Sequence, residues 1–461
     1  MIRSMRWFLP AVLLIGGAAR GEIARDAARK MYSEAIPSLV AVQYSWQNEF
    51  NKQEFIASGI VVGEDLVMTS IGIVNPQIPD DQMKDFKIVV PKEEGDPDEI
   101  EAVFQGRDER TNMALLKAKK PQHWKPIRFE DAAPQVGDPV VSVGILPQAA
   151  AYKAYLMEST VAATLRGDVP QVLVQGGGLA AMGSPVYNTD GKAIGVVSYS
   201  PGQSILLNSG AEALAAISNP PKFFVPASDF LMTLQDPPTP DKPILLPWIG
   251  VPQLTGLSKD VSEALGLKDQ PAIQVGEVIP GTPGDKSGLK QGDIILKLNG
   301  KTLERGDEAA ELPGILRRRL LRFKVGETIT LSVLREQDKP LQDIKITLEE
   351  QPKRSNTARR YFAEDLGFVV REIVFQDTYA RKLPATQKGV IVAMERPQSA
   401  AQNAGLQGND LIISLNSNPV TDIAEFEKLY KTTRKDKPHE ALVLVVRRKT
   451  SEDTIRIEPP Q

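Results

Sequence analysis

The sequence predicts a mainly β, multidomain protein: one large domain of short strands followed by two smaller α+β modules. Three observations carry this. Residues 22–234 break into short apolar runs separated by turn residues. Residues 248–349 and 361–461 repeat one set of motifs at a fixed offset. Two proline-rich or polar stretches, 235–247 and 350–360, separate the three parts. A chain of 461 residues has room for this, since domains run to roughly 100–200 residues.

In chain order, residues 1–21 read as an export signal. Arg3 and Arg6 precede the apolar run Trp7–Gly17, and Ala18-Ala19-Arg20-Gly21 supplies small residues for cleavage. A bilayer span takes about 20 apolar residues, so this run is too short for a stable transmembrane helix; a retained signal anchor is the alternative. The expected compartment is periplasmic or extracellular.

A helix over residues 24–35 opens the large domain. Strands follow at 38–44, 55–62, 66–70, 86–90, 139–143, 155–165, 172–175 and 193–199, with turns such as Gly63-Glu64-Asp65 and Asn188-Thr189-Asp190-Gly191 between them. Many short strands with turn punctuation indicate an all-β sandwich or barrel. A second helix closes the domain at 226–234. The prolines of Gln235–Pro247 forbid helix and predict an extended spacer.

The repeat is read from single residues. Ile249-Gly250-Val251 matches Leu366-Gly367-Phe368, and Pro280 matches Pro397, each 117 residues apart. Gly288-Leu289 matches Gly405-Leu406, and Asp293–Asn299 matches Asp410–Asn416, in the same register. Aligning Leu334-Arg335 with Val446-Arg447 reduces the offset to 112 and assigns the first copy about five extra residues near its helix. The helices are predicted over 312–323 in copy 1 and 423–432 in copy 2.

Composition excludes several chemistries. There are no cysteines, so disulfides, thiol nucleophiles and thiolate metal sites are out. The net charge of −3, without a basic stripe, gives no footprint for nucleic acid. No His/Asp/Glu cluster has metal-ligand spacing, and no cofactor motif is present: Gly176-Gly177-Gly178 lacks the Lys-Ser/Thr of a phosphate loop. Only two histidines exist, His123 and His439, and His is the usual base of hydrolytic sites.

The repeated modules resemble PDZ domains. The resemblance rests on Trp248-Ile249-Gly250-Val251, on Asp365-Leu366-Gly367-Phe368, and on the two blocks ending in Asn299 and Asn416. An apolar-Gly-apolar loop before a strand exposes successive backbone amides to a terminal carboxylate, and the ligand adds as a further strand beside a helix. These eight residues are therefore the candidate peptide-binding positions. The run Arg317-Arg318-Arg319-Arg322 lies beside the first groove and reads as a solvated helix face.

Residues 22–234 resemble the trypsin-like domain of the HtrA serine protease family, which implies a chymotrypsin-like double β-barrel. Three blocks carry the match: Ser58–Val62 with Val67–Val74, Asp108–Lys117, and Ala180–Asn188. The resemblance places Gly72 at the general-base position, Asn112 at the orienting carboxylate and Met182 at the nucleophile. Gly offers no base, Met no hydroxyl, and Asn no charge to stabilise an imidazolium. Loss of nucleophile or base alone costs about 10⁶ in kcat in a serine protease. Ala180 and Ala181 occupy the oxyanion loop, where the family has Gly at the first position. Ser184 with His123 as a distant base is the remaining route to a rewired site, but His123 should lie on the barrel surface; Ser58, Ser70 and Ser142 read as strand-end hydroxyls.

Three functions follow as expectations. The first is a non-catalytic pseudoprotease that binds polypeptides or protein C-termini, acting as chaperone, adaptor or scaffold in envelope quality control; resemblance implies a homo-oligomer, a trimer. The second is an active serine endopeptidase with a rewired site. The third is a structural envelope protein.

Overall fold

The computed structural model describes residues 25–74, 78–166, 169–198, 220–268, 270–448 and 451–460. The signal-like segment 1–21 and Tyr199, the end of one expected strand, lie outside them.

Helix α1 (Arg25–Ala35) buries Ala28, Met31 and Ala35, a stripe at helical spacing. The first barrel is built from β1 (Leu39–Gln47), β2 (Lys52–Val61), β3 (Leu66–Ser70), β4 (Met83–Val90), β5 (Asp98–Asp108) and β6 (Met113–Ala118). It closes antiparallel in the order β1-β2-β3-β6-β5-β4. The second uses β7 (Pro139–Ile145), β8 (Ala154–Leu165), β9 (Gln171–Gly176), β10 (Pro185–Tyr187), β11 (Ala193–Val197) and β12 (Phe223–Pro226). It closes in the order β10-β11-β12-β9-β8-β7. Closure removes the unpaired edges of both sheets. Residues Val40, Val42, Tyr44, Val61, Val67 and Ile88 fill the first barrel. Val140, Val161, Val174, Val186, Ile194 and Phe224 fill the second. The opposite faces of the same strands, among them Ala41, Ile60, Met68, Leu115, Val141, Val143 and Val196, form a third core between the barrels. That is why these strands are apolar on both faces instead of alternating.

Helix α2 (Ala227–Gln235) packs Phe230 edge-on to Phe129, with ring centroids 5.0 Å apart. The module that follows, copy 1, contains β13 (Pro247–Trp248), β14 (Gln253–Gly256), α3 (Lys259–Ala264), β15 (Ile273–Glu277), α4 (Pro283–Lys286), β16 (Ile294–Leu298), β17 (Lys301–Thr302), α5 (Leu312–Leu320), β18 (Thr328–Leu334), β19 (Gln342–Thr347) and β20 (Glu349–Glu350). Its sheet runs β14-β15-β16-β18-β19, with β17 on β16. Copy 2 contains β21 (Arg360–Ala363), β22 (Phe368–Arg371), α6 (Phe375–Ala380), β23 (Val390–Glu395), α7 (Ala400–Asn403), β24 (Leu411–Leu415), β25 (Asn418–Pro419), α8 (Ile423–Asp436), β26 (Leu442–Arg448) and β27 (Ser451–Ile457). Its sheet runs β21-β22-β23-β24-β26-β27, with β25 on β24.

The repeat has a structural cause. Arg335 grips Asp293 with two bonds of 2.8 and 2.7 Å, and Arg448 grips Asp410 with two of 2.7 and 2.6 Å. Asn299 and Asn416 both take left-handed turns and accept from the amides of Thr330 and Val443 at 2.7 and 2.8 Å. The arginine pair corrects the expected register. Leu334 lies opposite Ile294 where Arg447 lies opposite Leu411, so the late offset is 113, not 112, and copy 1 has four extra residues.

The two breaks are not free spacers. Pro238 packs on Gly106 of β5, where a Cβ would stand 2.9 Å from its ring. Glu349 and Glu350 pair with Trp248 and Pro247. Arg354 forms an ion pair with Glu109 of the barrel.

Candidate functional site

The cleft is built where β3, β6 and the loop before β10 meet. The turn after β3 is held by Ile73 N–H donating to Ser70 O at 3.0 Å and by Tyr44 Oη donating to Ile73 O at 2.7 Å. Its Ile71 amide donates to Asn112 O at 3.0 Å, which brings Gly72 beside Asn112. The Asn112 turn is fixed from below. Asp108, fully buried, takes two bonds from Arg110 at 2.8 and 2.9 Å and one from Thr233 Oγ1 of α2 at 2.7 Å. Asn112 has φ +63°, a conformation Asn tolerates, and its Nδ2 donates to Ser198 Oγ at 3.1 Å.

The third position completes the group from the second barrel. Met182 is 5% exposed and packs with Ile73, Val74 and Val67 in the core of the first barrel. Gly183 (φ +86°) approaches so closely that a Cβ would stand 2.6 Å from Ser58 O and 3.2 Å from Thr69 Oγ1. Gly72 and Asn112 thus lie on neighbouring turns of the first barrel, and Met182 reaches into that barrel's core beside the turn that carries Ile73 and Val74. Met182 carries a thioether where a nucleophile would need a hydroxyl, and the hydroxyls nearby are tied up: Ser198 accepts from Asn112 and Thr69 donates to Ser58 O.

The segment expected to form the oxyanion loop, Ala180–Ala181, is turned inward. Ala180 is fully buried and its amide donates to Ser142 Oγ at 2.7 Å. The Ala181 amide bonds the Tyr155 hydroxyl, whose pKa burial pushes up to about 12. Ser184 N–H donates to Ala181 O at 3.0 Å and closes the turn. The Ala180 amide, which the family resemblance would make one of the two oxyanion donors, is therefore committed to a side chain of the second barrel. Sequence reasoning missed Ser142, Tyr155 and Ser198. Ser142 is not a strand-end hydroxyl but lies midway along β7. No linear pattern links it to residue 180; only barrel closure does.

Among the described residues, no base bonds Ser184. Ser184 Oγ is fully buried without a partner and faces Gly144, where a Cβ would stand 2.7 Å from it. The His123 side chain is 80% exposed, with its Nδ1 3.7 Å from Glu64 on the outer surface.

The two PDZ-type loops share one geometry. Gly250 and Gly367 have φ +79° and +73°, and a Cβ at either would collide with Thr282 (2.1 Å) or Ser399 (2.6 Å). Ile249 O accepts from Gly284 and Leu366 O from Ala401, at 2.8 and 3.1 Å. Among the described residues, the amides of Gly250 and Val251 meet no acceptor, and no strand pairs with the outer edge of β14. Trp248, Ile249, Val251, Leu254, Leu320 and Leu321 line a cavity of about 260 Å³ between this loop and α5. Trp248 itself packs edge-on against Phe375 of copy 2 at 5.2 Å. In copy 2 the Gly367 amide already donates to Ala363 O at 2.8 Å, Asp365 is held by Arg434 at 3.1 Å, and Phe368 is paired with Ala363.

The arginine run of α5 is not a solvated face. Arg318 and Arg319 approach Glu304 at 3.8 and 3.6 Å. Arg322 forms an ion pair with Asp229 of α2 and donates to its carbonyl at 3.2 Å. Burial is the larger influence on Asp229 and raises its pKa to about 6 against the pull of Arg322.

Comparison with known proteins agrees with this architecture. The model of the trypsin-like peptidase domain matches residues 57–196, and that of the PDZ domain matches residues 253–348. A probable periplasmic serine endoprotease DegP-like of Rhizobium meliloti (strain 1021) is 28% identical over 75% of this chain and 66% of its own length. A protein of the same description from Marinomonas sp. (strain MWYL1) is 30% identical over 54% of this chain and 48% of its own. This chain thus spans less than two thirds of either relative. The periplasmic pH-dependent serine endoprotease DegQ of Escherichia coli (strain K12) is 26% identical over 91% of this chain and 84% of its own. Among solved structures, the HtrA-type protease AlgW with tripeptide shares the fold with a TM-score of 0.54, at 17% identity, over 71% of this chain and 98% of that one.

Proposed function

This chain belongs to the HtrA-type family of trypsin-like proteases with PDZ domains, and from that premise we propose that it is a non-catalytic member that binds polypeptides. The observation that carries the reading is Met182, buried in the first barrel's core with Ile73 and Val74, at what the family resemblance makes the nucleophile position. The inward Ala180 amide supports it independently, because an oxyanion donor contributes about 10²–10³ in kcat.

What remains competent is recognition. The free amides of Gly250 and Val251, the open edge of β14 and the apolar cavity beside α5 suit a chain terminus: carboxylate on the loop, backbone on the strand, terminal side chain in the cavity. Trp248 and Ile249 belong to the same site. The relatives are named as periplasmic, and the signal-like segment fits export, so we place the protein in envelope protein quality control as an adaptor or holder. Family resemblance further suggests a homo-oligomer, a trimer, which sedimentation of the full chain would read as three times the chain mass.

The test is incubation of the full chain with labelled casein and with a serine-reactive fluorophosphonate. Neither cleavage nor labelling is expected. Labelling that vanishes in Ser184→Ala would overturn the reading. Restoring the three positions together (Gly72→His, Asn112→Asp, Met182→Ser) is expected to leave turnover at least 100-fold below that of an active relative while Ala180 donates to Ser142.

A further inference from the structure

A ligand that adds to a PDZ-type sheet needs the outer edge of the strand after the loop, and its C-terminal carbonyl oxygens must reach the loop amides. In copy 2 both places are taken by the chain itself. Strand β21 runs antiparallel to β22 in the register Arg360↔Arg371, Tyr361↔Val370, Phe362↔Val369 and Ala363↔Phe368. Its C-terminal end points at the loop, and Ala363 O accepts the Gly367 amide at 2.8 Å.

The side chains alternate as strand geometry requires. Ala363 is fully buried in the core of copy 2, and the Tyr361 ring lies 5.7 and 6.0 Å from Tyr430 and Phe426 of α8. Phe362 and Arg360 face the other way, onto the loop between β1 and β2 of the first barrel. Phe362 meets Phe50 edge-on at 5.3 Å, Arg396 lies over both rings, and Arg360 is 3.8 Å from Glu49. One face of the strand thus fills a groove and the other grips the barrel.

We propose that Tyr361-Phe362-Ala363 is the built-in ligand of copy 2, closing its groove to outside peptides and pinning the module to the first barrel. A tethered ligand acts at an effective concentration of about millimolar or above, so a free peptide must outcompete it to enter. Copy 2 is then a clamp, and copy 1 is the module open to termini. The inference stands on the groove's occupancy and does not depend on whether the cleft catalyses.

The probe is a fluorescein-labelled decapeptide ending in Arg-Arg-Tyr-Phe-Ala with a free carboxylate, added to the full chain, with amide hydrogen exchange as the readout. In the native chain, amides 368–371 should exchange as slowly as those of 411–415 and should not change with peptide. In Tyr361→Gly/Phe362→Gly they should exchange at least tenfold faster and regain protection when peptide is added. Fast exchange at 368–371 in the native chain, or added protection there on peptide binding, overturns the proposal. So does a folded double variant whose 368–371 amides stay as slow as in the native chain. If the double variant loses its near-UV dichroism, the native-chain exchange decides alone.

Discussion

Copies 1 and 2 carry the same loop, the same Asp–Arg grip and the same Asn turn, yet among the described residues only copy 1 leaves open the edge of the strand that follows its loop. The difference lies in the four residues before the loop. In copy 2 they are Arg360–Ala363, and the Ala363 carbonyl closes on the Gly367 amide. In copy 1 the aligned residues are Pro243-Ile244-Leu245-Leu246, and the Leu246 carbonyl accepts from Gln351 instead, at 2.8 Å. Proline has no N–H to give to a ladder. The chain then continues into β13, which pairs with β20, so β14 keeps its edge. A shared motif fixes how a loop folds; its neighbours decide whether a ligand can reach it.

The largest expected effect tests what copy 2 has and copy 1 lacks. Arg371, at the position of Leu254, pairs with Asp377 through bonds of 2.6 and 2.8 Å, both side chains being buried, and Asp377 also caps α6 through the Val374 amide. Asp377→Ala leaves a buried guanidinium unpaired and should destabilise copy 2 by about 3–5 kcal/mol, read as the loss of its unfolding transition in urea. Burial raises the Asp377 pKa, but the Arg371 and Val374 bonds outweigh it and hold the group below the ordinary carboxylate value. Its stabilisation is therefore present above the unfolded pKa and lost as pH falls through the folded one, in the acid range below about 4.

The glycines separate fold from function. Gly250→Ala and Gly367→Ala each add a Cβ to a left-handed residue against Thr282 or Ser399, and each should cost about 2–4 kcal/mol. Only Gly250→Ala should reduce peptide binding, by tenfold or more in fluorescence anisotropy. An equal loss in Gly367→Ala would show that copy 2 also serves ligands and would break the comparison.

Much of this was legible in the sequence. Barrel class, repeat and loops follow from local patterns; the assignment of Gly72, Asn112 and Met182 rests on the resemblance of three local blocks and remains a proposal. What escaped depends on distant partners. Ser142 and Tyr155 reach the oxyanion loop only once β7 and β8 close the second barrel. The alternation Tyr361-Phe362-Ala363 against a leading Pro243 was a signal for β21, but the stretch up to Arg360 reads as polar linker, and Phe50, which grips it, is far away in sequence.

Between pH 7 and pH 5, acid should act on the contact of copy 1 with α2 and leave the buried Arg371–Asp377 pair inside copy 2 unaffected. Copy 1 meets α2 through Arg322 and Asp229, whose pKa of about 6 lies above the unfolded value. A raised carboxylate pKa gives stability that is full below the unfolded pKa and lost as pH rises through 6. Shifting from pH 7 to pH 5 should therefore stabilise the chain by about 1 kcal/mol through this group, a gain absent in Asp229→Asn. Asp377 contributes no change over that window, since its folded and unfolded pKa values both lie below it. Thermal unfolding at the two pH values, with and without the substitution, reads the difference.

The smallest effect concerns ligand length at copy 1. Its four extra residues precede α5, and there the Ala309 carbonyl lies against Gly256, so close that a Cβ on Gly256 would stand 1.8 Å from it. A peptide strand added to β14 starts at the loop near Val251 and runs past Leu254 toward Gly256, where the Ala309 carbonyl stands in its way. About three residues therefore fit before the path closes, since a strand rises about 3.3 Å per residue and β14 has four. Extending a peptide from three to six residues should improve its affinity less than twofold, measured by anisotropy on the full chain. Removing four residues from 305–308 should open the path and make the same extension worth several-fold. A strong length dependence in the native chain would mean that the 308–311 turn moves aside, and then copy 1 would differ from copy 2 by how readily its groove opens rather than by how it is built.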